Sequence, residues 1–301
     1  MIGGPAPNAA GPRRPVLRWH GGKWRLAPQI IAHFPPHRVY VEPFGGAASV
    51  LLRKPRAYAE VYNDLDDEVV TLFRVLRDPD QAARLADLLR LTPFARDEFR
   101  LAYEATEDPV EKSRRLIARS FIGFGSNAHA SQARGHRSTG FRSDSRKSGT
   151  TPAQDWRNYP DALTAIVERL AGVVVENRDA GDVMARHDGA ETLHYVDPPY
   201  VHETRSRRAR RADGDVIAYR HELTRNDHAA LLRQIERLAG MVVLSGYADP
   251  LYDETLTNWR RVEIDAYADG ARPRTEVLWI NPAAVAAVEA DRLPLLAGAG
   301  P

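Results

Sequence analysis

The tetrapeptide Asp197-Pro198-Pro199-Tyr200 follows the apolar run Leu193-His194-Tyr195-Val196, so a carboxylate, a stiff corner and an aromatic ring sit at the end of a predicted strand. Two successive prolines remove two backbone donors and fix two φ angles, which leaves the Pro198 carbonyl free to accept alongside the Asp197 carboxylate. Two neighbouring acceptors suit a flat amino group. Tyr200 offers a π face on which a planar base can stack, an interaction worth about 1–3 kcal/mol per base. The same residue types also build ordinary turns, so the choice between turn and site rests on what else the chain contains.

Three further clusters carry chemistry of a related kind. In Leu17-Arg18-Trp19-His20-Gly21-Gly22-Lys23 a lysine projects from a glycine turn, suited to a carboxylate or phosphate, and Trp19 can cover an apolar or cationic moiety. Lys23 is one of only four lysines among 42 basic residues. Glu42-Pro43-Phe44-Gly45-Gly46 ends a strand-like run in small residues, which let a ligand approach the backbone closely. Asn63-Asp64 then places an acid about 20 residues beyond the glycine turn, where nucleoside-binding folds commonly hold ribose hydroxyls.

The elements that must position these groups alternate. Val39 to Phe44 reads as a strand, Gly45 to Leu52 as a helix start, Tyr58 to Tyr62 as a second strand and Asp66 to Arg77 as an amphipathic helix, together a βαβ unit. Residues 78 to 122 show helical periodicity and read as an insertion. Helix returns from Tyr159 to Leu170. Strands follow at Val173–Val175, Thr192–Val196 and Met241–Leu244, then an antiparallel pair, Trp259–Tyr267 and Thr275–Ile280, and after Pro282 an Ala-rich tail that reads as a short helix and then frays.

Composition narrows the function classes. The chain has 301 residues, 43% of them hydrophobic, enough for a substantial core, and a formal net charge of only +2. A nucleic-acid partner would therefore need local positive charge. Two polar segments supply it: between Gly123 and Asp155 lie Arg134, Arg137, Arg142, Arg146 and Lys147, and after the tetrapeptide come Arg205, Arg207, Arg208, Arg210 and Arg211. Both fit a phosphate backbone, the second as a loop closing over a bound base; solvated surface loops are the alternative. The absence of cysteine excludes disulfides, thiolate metal sites and cysteine nucleophiles, and the scattered histidines lack metal-ligand spacing, so no metal is expected. No apolar run approaches the roughly 20 residues of a membrane span. Residues 1–15 lack the apolar core of a signal peptide, and a disordered tail on a cytoplasmic protein, monomeric or weakly dimeric, is the expectation.

Taken in order, Trp19 and Lys23, Glu42-Pro43-Phe44-Gly45-Gly46, Asn63-Asp64, Asn177-Arg178-Asp179 and Asp197-Pro198-Pro199-Tyr200 resemble the Dam-like (alpha-class) site-specific DNA adenine-N6 methyltransferases, the solitary phage and prophage enzymes in particular. The resemblance covers about Val16 to Pro282. It implies an α/β fold: a Rossmann-like S-adenosylmethionine-dependent methyltransferase sheet with a C-terminal antiparallel hairpin and an inserted, mainly helical target-recognition domain. The catalytic domain would comprise residues 16–69 and 173–282, the recognition region 70–172 and a C-terminal tail 283–301. The implied methyl donor is S-adenosylmethionine and the implied partner double-stranded DNA. By the same resemblance Trp19 and Lys23 contact the methionine end of the cofactor, the Phe44-Gly45-Gly46 turn lies against it, Asp64 accepts from its ribose and Asp179 lies by its adenine. Glu42 stands where many relatives have Asp, which keeps the charge and lengthens the reach. Asp197 and the Pro198 carbonyl take the hydrogen bonds of the target amino group, and Tyr200 stacks on the flipped base.

Without cysteine, methylation at cytosine carbon 5, which normally proceeds through a thiolate adduct, is closed to this chain, and an exocyclic amino nitrogen remains. Asp at position 197 favours adenine by resemblance. Cytosine-N4 or RNA methylation on the same scaffold is the runner-up among enzymes, and a non-catalytic prophage DNA-binding protein is the alternative from another class.

Overall fold

A computed structural model describes residues 11–125, 140–144, 149–201, 221–268 and 272–297. In chain order the described elements are α1 (Ala27–Ile31), β1 (Val39–Glu42), β2 (Ala59–Asn63), α2 (Asp67–Arg77), α3 (Pro79–Leu91), α4 (Arg96–Leu101), α5 (Pro109–Ile122), α6 (Pro152–Arg157), α7 (Leu163–Leu170), β3 (Val173–Glu176), α8 (Ala180–Arg186), β4 (Thr192–Val196), α9 (Arg225–Ile235), β5 (Met241–Gly246), α10 (Pro250–Thr255), β6 (Arg260–Ala268), β7 (Arg272–Ile280) and α11 (Pro282–Ala297).

Seven strands form one sheet in the order β3-β2-β1-β4-β5-β7-β6. The first five are parallel, with Val41 opposite both Val61 and His194, and Val196 opposite Leu244. β7 enters antiparallel between β5 and β6, so that Val277 lies opposite Gly246. β1, β4 and β5 read as near-continuous apolar runs because both faces are covered, as parallel sheets require. Tyr40, Tyr62, Leu193, Tyr195, Val243 and Leu278 point to one face, in a core shared with α2, α5 and α7. On the other face Val196, Val242, Leu244, Val277 and Trp279 pack with Leu231, Leu232 and Ile235 of α9, and Val41 and Val61 pack with Val183 of α8.

The helices between β2 and β3 belong to the first of these cores: Leu85, Phe99, Leu116, Phe121 and Trp156 are all within it. They also hold the N-terminal strap. Ser120 of α5 accepts from the Arg18 amide at 2.6 Å and donates to the Arg18 carbonyl, while the Tyr159 hydroxyl donates to the Val16 carbonyl at 2.6 Å. Trp19 and Lys23 are thereby presented to the sheet by residues that lie between β2 and β3. Local signals explain the helix starts. Asp66 caps α2 by accepting from the Glu68 amide, acids occupy the first turn and Arg74 and Arg77 the last, in line with the helix dipole.

Two expectations change. Gly45 to Leu52 forms successive turns rather than a helix, because Gly46 (φ 46°) and Ala48 (φ 51°) take left-handed conformations that break the i→i−4 ladder. The Ala-rich segment after Pro282, expected as a short helix that then frays, is a helix of 16 residues, Pro282–Ala297. The turn segment is tied down from below by a buried cluster: Glu60 accepts from Lys54 at 2.7 Å and from Arg169 of α7 at 2.6 Å, and Arg169 also donates to the Leu51 carbonyl. No helix among the described residues is long and apolar enough to cross a membrane.

Candidate active site

Strands β1, β2 and β4 end together, and outside their carboxyl ends opens a cleft, the position at which open α/β sheets hold ligands. Trp19, Lys23, Glu42, Phe44, Gly45, Gly46, Asp64 and Asp197 all line it. The clusters read from sequence are cross-linked to one another. Asn63 donates to the carbonyls of Pro43 and Arg178 and accepts from the Arg178 amide, clasping the ends of three strands. Asn177 donates to the Asp64 carbonyl at 2.7 Å, and the Asp64 carboxylate accepts from the amides of Gly46 and Asp66, both at 2.8 Å. The Gly46 carbonyl accepts from the Tyr62 hydroxyl at 2.7 Å. The floor of the cleft is therefore fixed before any ligand enters.

Lys23 is 5% exposed and its ammonium donates to both Asp197 oxygens at 2.8 Å and to the Gly21 carbonyl at 2.9 Å. In this state it is bound to the catalytic candidate. The Asp197 side chain retains 16% exposure toward the cleft. Burial pushes its carboxyl pKa up to about 6; Lys23 opposes the rise and Glu276 of β7 adds to it. Tyr200 is buried, its ring set perpendicular to Tyr247 at 4.5 Å between centroids and 4.7 Å from the Lys23 ammonium, and its hydroxyl donates to Glu276. Burial, then Asp197 and Glu276, hold that phenol well above its ordinary pKa, so it stays protonated and donates.

The remaining candidates take other places. Pro198 is buried, and its neighbour Pro199 lines the cleft. Asp179 is exposed and caps α8, accepting from the amides of Gly181 and Asp182, and it is Ala180 that lines the cleft. Arg142 donates to the Phe121 carbonyl at the end of α5, near Arg18. Arg134, Arg137, Arg205, Arg207 and Arg208 lie outside the described residues.

Glu42 shows what the longer acid does. Its Oε2 accepts from the Tyr40 hydroxyl at 2.7 Å and the Leu51 amide at 3.0 Å, bridging β1 to the turn segment. Burial pushes its carboxyl up to about 8, against those two hydrogen bonds and with Asp197 adding to the rise. An acid raised from 4.5 to about 8 on folding keeps its proton in the native chain and loses it on unfolding across that window. Stability then falls as pH rises from about 4.5 to about 8, by at most about 1.4 kcal/mol per unit. Glu42→Gln abolishes this slope. Denaturant midpoints of the wild-type protein should drop relative to the variant across this window and run parallel above it; parallel curves throughout would show Glu42 to be ionised.

Sequence reasoning passed over Glu276, which is 2% exposed and accepts from the hydroxyls of Tyr200 and Ser245, with the Lys23 ammonium 3.7 Å away. A signal existed: in Arg274-Thr275-Glu276-Val277-Leu278 the strand alternation puts Glu276 on the face of Leu278, which is core. Ser49, Leu65, Asp66 and Tyr195 also line the cleft without having been singled out.

Among the described residues the cleft wall holds four carboxyl groups (Glu42, Asp64, Asp66, Asp197) and one lysine, beside Trp19 and Phe44. That donor set fits an elongated ligand carrying positive charge, an aromatic base and hydroxyls, as S-adenosylmethionine does.

The comparisons with known proteins agree with this chemistry. The sequence model of the D12 class N6 adenine-specific DNA methyltransferases matches residues 19–227. The DNA adenine methylase of Escherichia coli K12 is 25% identical over 196 residues, covering 62% of this chain and 65% of that protein, slightly under two thirds of its length. The DNA adenine methylase of Serratia marcescens is 31% identical over 106 residues, 35% of this chain and 39% of that one. A DNA adenine methylase of Vibrio cholerae serotype O1 is 35% identical over 71 residues, 23% of this chain and 25% of that one. With the family model spanning more than half of its length, this chain belongs to the D12 class of N6 adenine-specific DNA methyltransferases.

Proposed function

We propose that the chain transfers a methyl group from S-adenosylmethionine to the exocyclic amino nitrogen of an adenine flipped out of double-stranded DNA. The observation that carries this reading is the Asp197 carboxylate, held by Lys23 on the same cleft wall as the Gly45-Gly46 turn and Asp64. S-adenosylmethionine, when bound, supplies a methyl carbon already activated by a positive sulfur. The protein's task is to hold the acceptor nitrogen in line and make it electron-rich. An adenine amino group is a poor nucleophile because its lone pair is delocalised into the ring. Asp197 and the Pro198 carbonyl, accepting hydrogen bonds from its two N–H groups, favour the tetrahedral nitrogen; as that nitrogen gains the methyl group the S–CH3 bond breaks with its electron pair going to sulfur, and the nitrogen sheds one proton to Asp197 or solvent. Tyr200, fixed by its hydroxyl, would serve as the stacking platform that offsets part of the few kcal/mol needed for base flipping.

On this reading Asp64 accepts from the ribose, Trp19 and the Phe44-Gly45-Gly46 turn cover the methionine end, and Asp179 shapes the adenine end by capping α8. Residues 16–69 and 173–282 form the catalytic part and residues 70–172 the target-recognition part, which the strap contacts of Ser120 and Tyr159 couple to Lys23. Arg134, Arg137, Arg142, Arg205, Arg207 and Arg208 are assigned to DNA by their charge.

Incubation with duplex DNA and methyl-labelled S-adenosylmethionine, followed by digestion to nucleosides, should place the label in N6-methyladenine. Label confined to cytosine, or incorporated only into RNA, would overturn the assignment.

A further inference from the structure

Glu276 lies on β7, outside every cluster that the sequence singles out, yet it is enclosed at the centre of the site. A buried carboxylate is destabilising by several kcal/mol unless its charge and its oxygens are matched. Here the match falls on one atom. Oε1 accepts from the Tyr200 hydroxyl and the Ser245 hydroxyl, and the Lys23 ammonium stands 3.7 Å from it. That ammonium also bonds both oxygens of Asp197 and lies over the Tyr200 ring. Two carboxylates thus share one cation, and the group as a whole is one negative charge in excess. Without Glu276, Lys23 would neutralise Asp197 alone and draw on the lone pairs that an amino group has to engage.

We propose that Glu276 is a positioning residue for methyl transfer: it fixes Tyr200 through the phenol hydroxyl and divides the Lys23 charge with Asp197, which leaves the Asp197 oxygens available as acceptors. The inference rests on the proposed function for its consequence in turnover, while the charge sharing itself can be read without turnover. The titratable groups that face Asp197 are Lys23 on the strap, Glu42 on β1, Tyr195 and Tyr200 on and after β4, Tyr252 on α10 and Glu276. Burial and Glu276 raise the Asp197 pKa, whereas Lys23 and the Tyr200 hydroxyl lower it. Glu276→Gln, which keeps an acceptor for Tyr200 but no charge, must therefore lower it. Tyr200→Phe, which breaks the hydroxyl bond and keeps the charge, must raise it.

Two measurements test this on the full-length chain. Carbon-13 NMR of labelled aspartate, with Asp197 assigned through Asp197→Asn, follows its titration directly. The pH dependence of single-turnover methylation follows the acidic inflection. Glu276→Gln should move both downward by about one unit and reduce the methylation rate about ten- to a hundred-fold, with KM for S-adenosylmethionine within about threefold of wild type. Tyr200→Phe should move both upward. A rate loss in Glu276→Gln with an unmoved inflection would mark a merely structural role and overturn the inference, as would wild-type rates. Should the wild-type protein leave adenine unmethylated, the proposed function fails, and the NMR titration still decides whether Glu276 shares Lys23.

Discussion

Asp197→Ala is expected to reduce methyl transfer by at least about a thousand-fold while DNA affinity stays within about threefold of wild type. Removing one preorganised electrostatic group from a reaction centre typically costs about 10²–10³ in rate. Asp197 stands at the upper end of that range because its partner is buried as well. Its loss leaves the Lys23 ammonium, 5% exposed, without its nearest carboxylate, beside Glu276 at 3.7 Å and the Gly21 carbonyl. A cation at that point repels the positive charge that develops on the attacking nitrogen. Affinity for DNA is set chiefly by phosphate contacts, which a cleft-floor aspartate does not make. Asp197→Asn separates shape from charge: it retains one acceptor and should recover part of the rate. Single-turnover methylation and fluorescence anisotropy on a labelled duplex check both halves. Transfer within tenfold of wild type in Asp197→Ala would remove Asp197 from the mechanism.

The pH dependence gives the same residue a second signature. With a carboxyl pKa raised to about 6, Asp197 carries its negative charge and offers both oxygens as acceptors only above that pH, so transfer should rise through this range and level off beyond it. An ordinary surface aspartate would be fully ionised well below it.

The parallel strands and most of the cleft wall were legible in the sequence because their signals are local. A strand buried on both faces writes itself as a near-continuous apolar run, and β1, β4 and β5 do so. The residues just after such strands face the cleft by topology alone, which is why Glu42, Asp64 and Asp197 could be named together. What escaped depends on distant partners. Nothing in the types of residues 45 to 52 announces the left-handed Ala48, a conformation imposed by the tether from Glu42 to Leu51 and by the cluster of Lys54, Glu60 and Arg169. Strand alternation could place Glu276 on a core face, but that this face meets the site follows only from the pairing of β7 with β5. Asn63 and Asn177 show the converse: their motif was recognised, but their side chains bond backbone groups of neighbouring strand ends, so their contribution is to the shape of the cleft rather than to a ligand.

The second large effect is expected at Gly45, where the requirement is for space rather than for an unusual φ. A Cβ built there falls 2.1 Å from Cε2 and 2.5 Å from Cδ2 of Tyr62, far inside any tolerated contact. The ring cannot step aside: Tyr62 is fully buried, packs on Phe73 with centroids 4.4 Å apart, and is tied through its hydroxyl to the Gly46 carbonyl. Gly45→Ala must therefore either displace Tyr62 from the core or lift the turn off the sheet, losing the Gly45 amide to Asn63 carbonyl bond and the Gly46 amide to Asp64 bond. We expect a stability loss of about 3 kcal/mol, the upper part of the range for overpacked cores, and at least a tenfold weaker affinity for S-adenosylmethionine by calorimetry. Gly46→Ala differs in kind. Its Cβ would meet Trp19 Nε1 at 2.7 Å, the far end of a cleft-lining side chain rather than a buried ring, and its φ of 46° adds about 1 kcal/mol of strain. It should affect cofactor affinity more than stability. Combining Gly45→Ala with Tyr62→Leu, which vacates the ring's space, should be less destabilising than the sum of the single changes. Strict additivity, or a Gly45→Ala variant with wild-type melting and affinity, would mean that the turn does not rest on Tyr62.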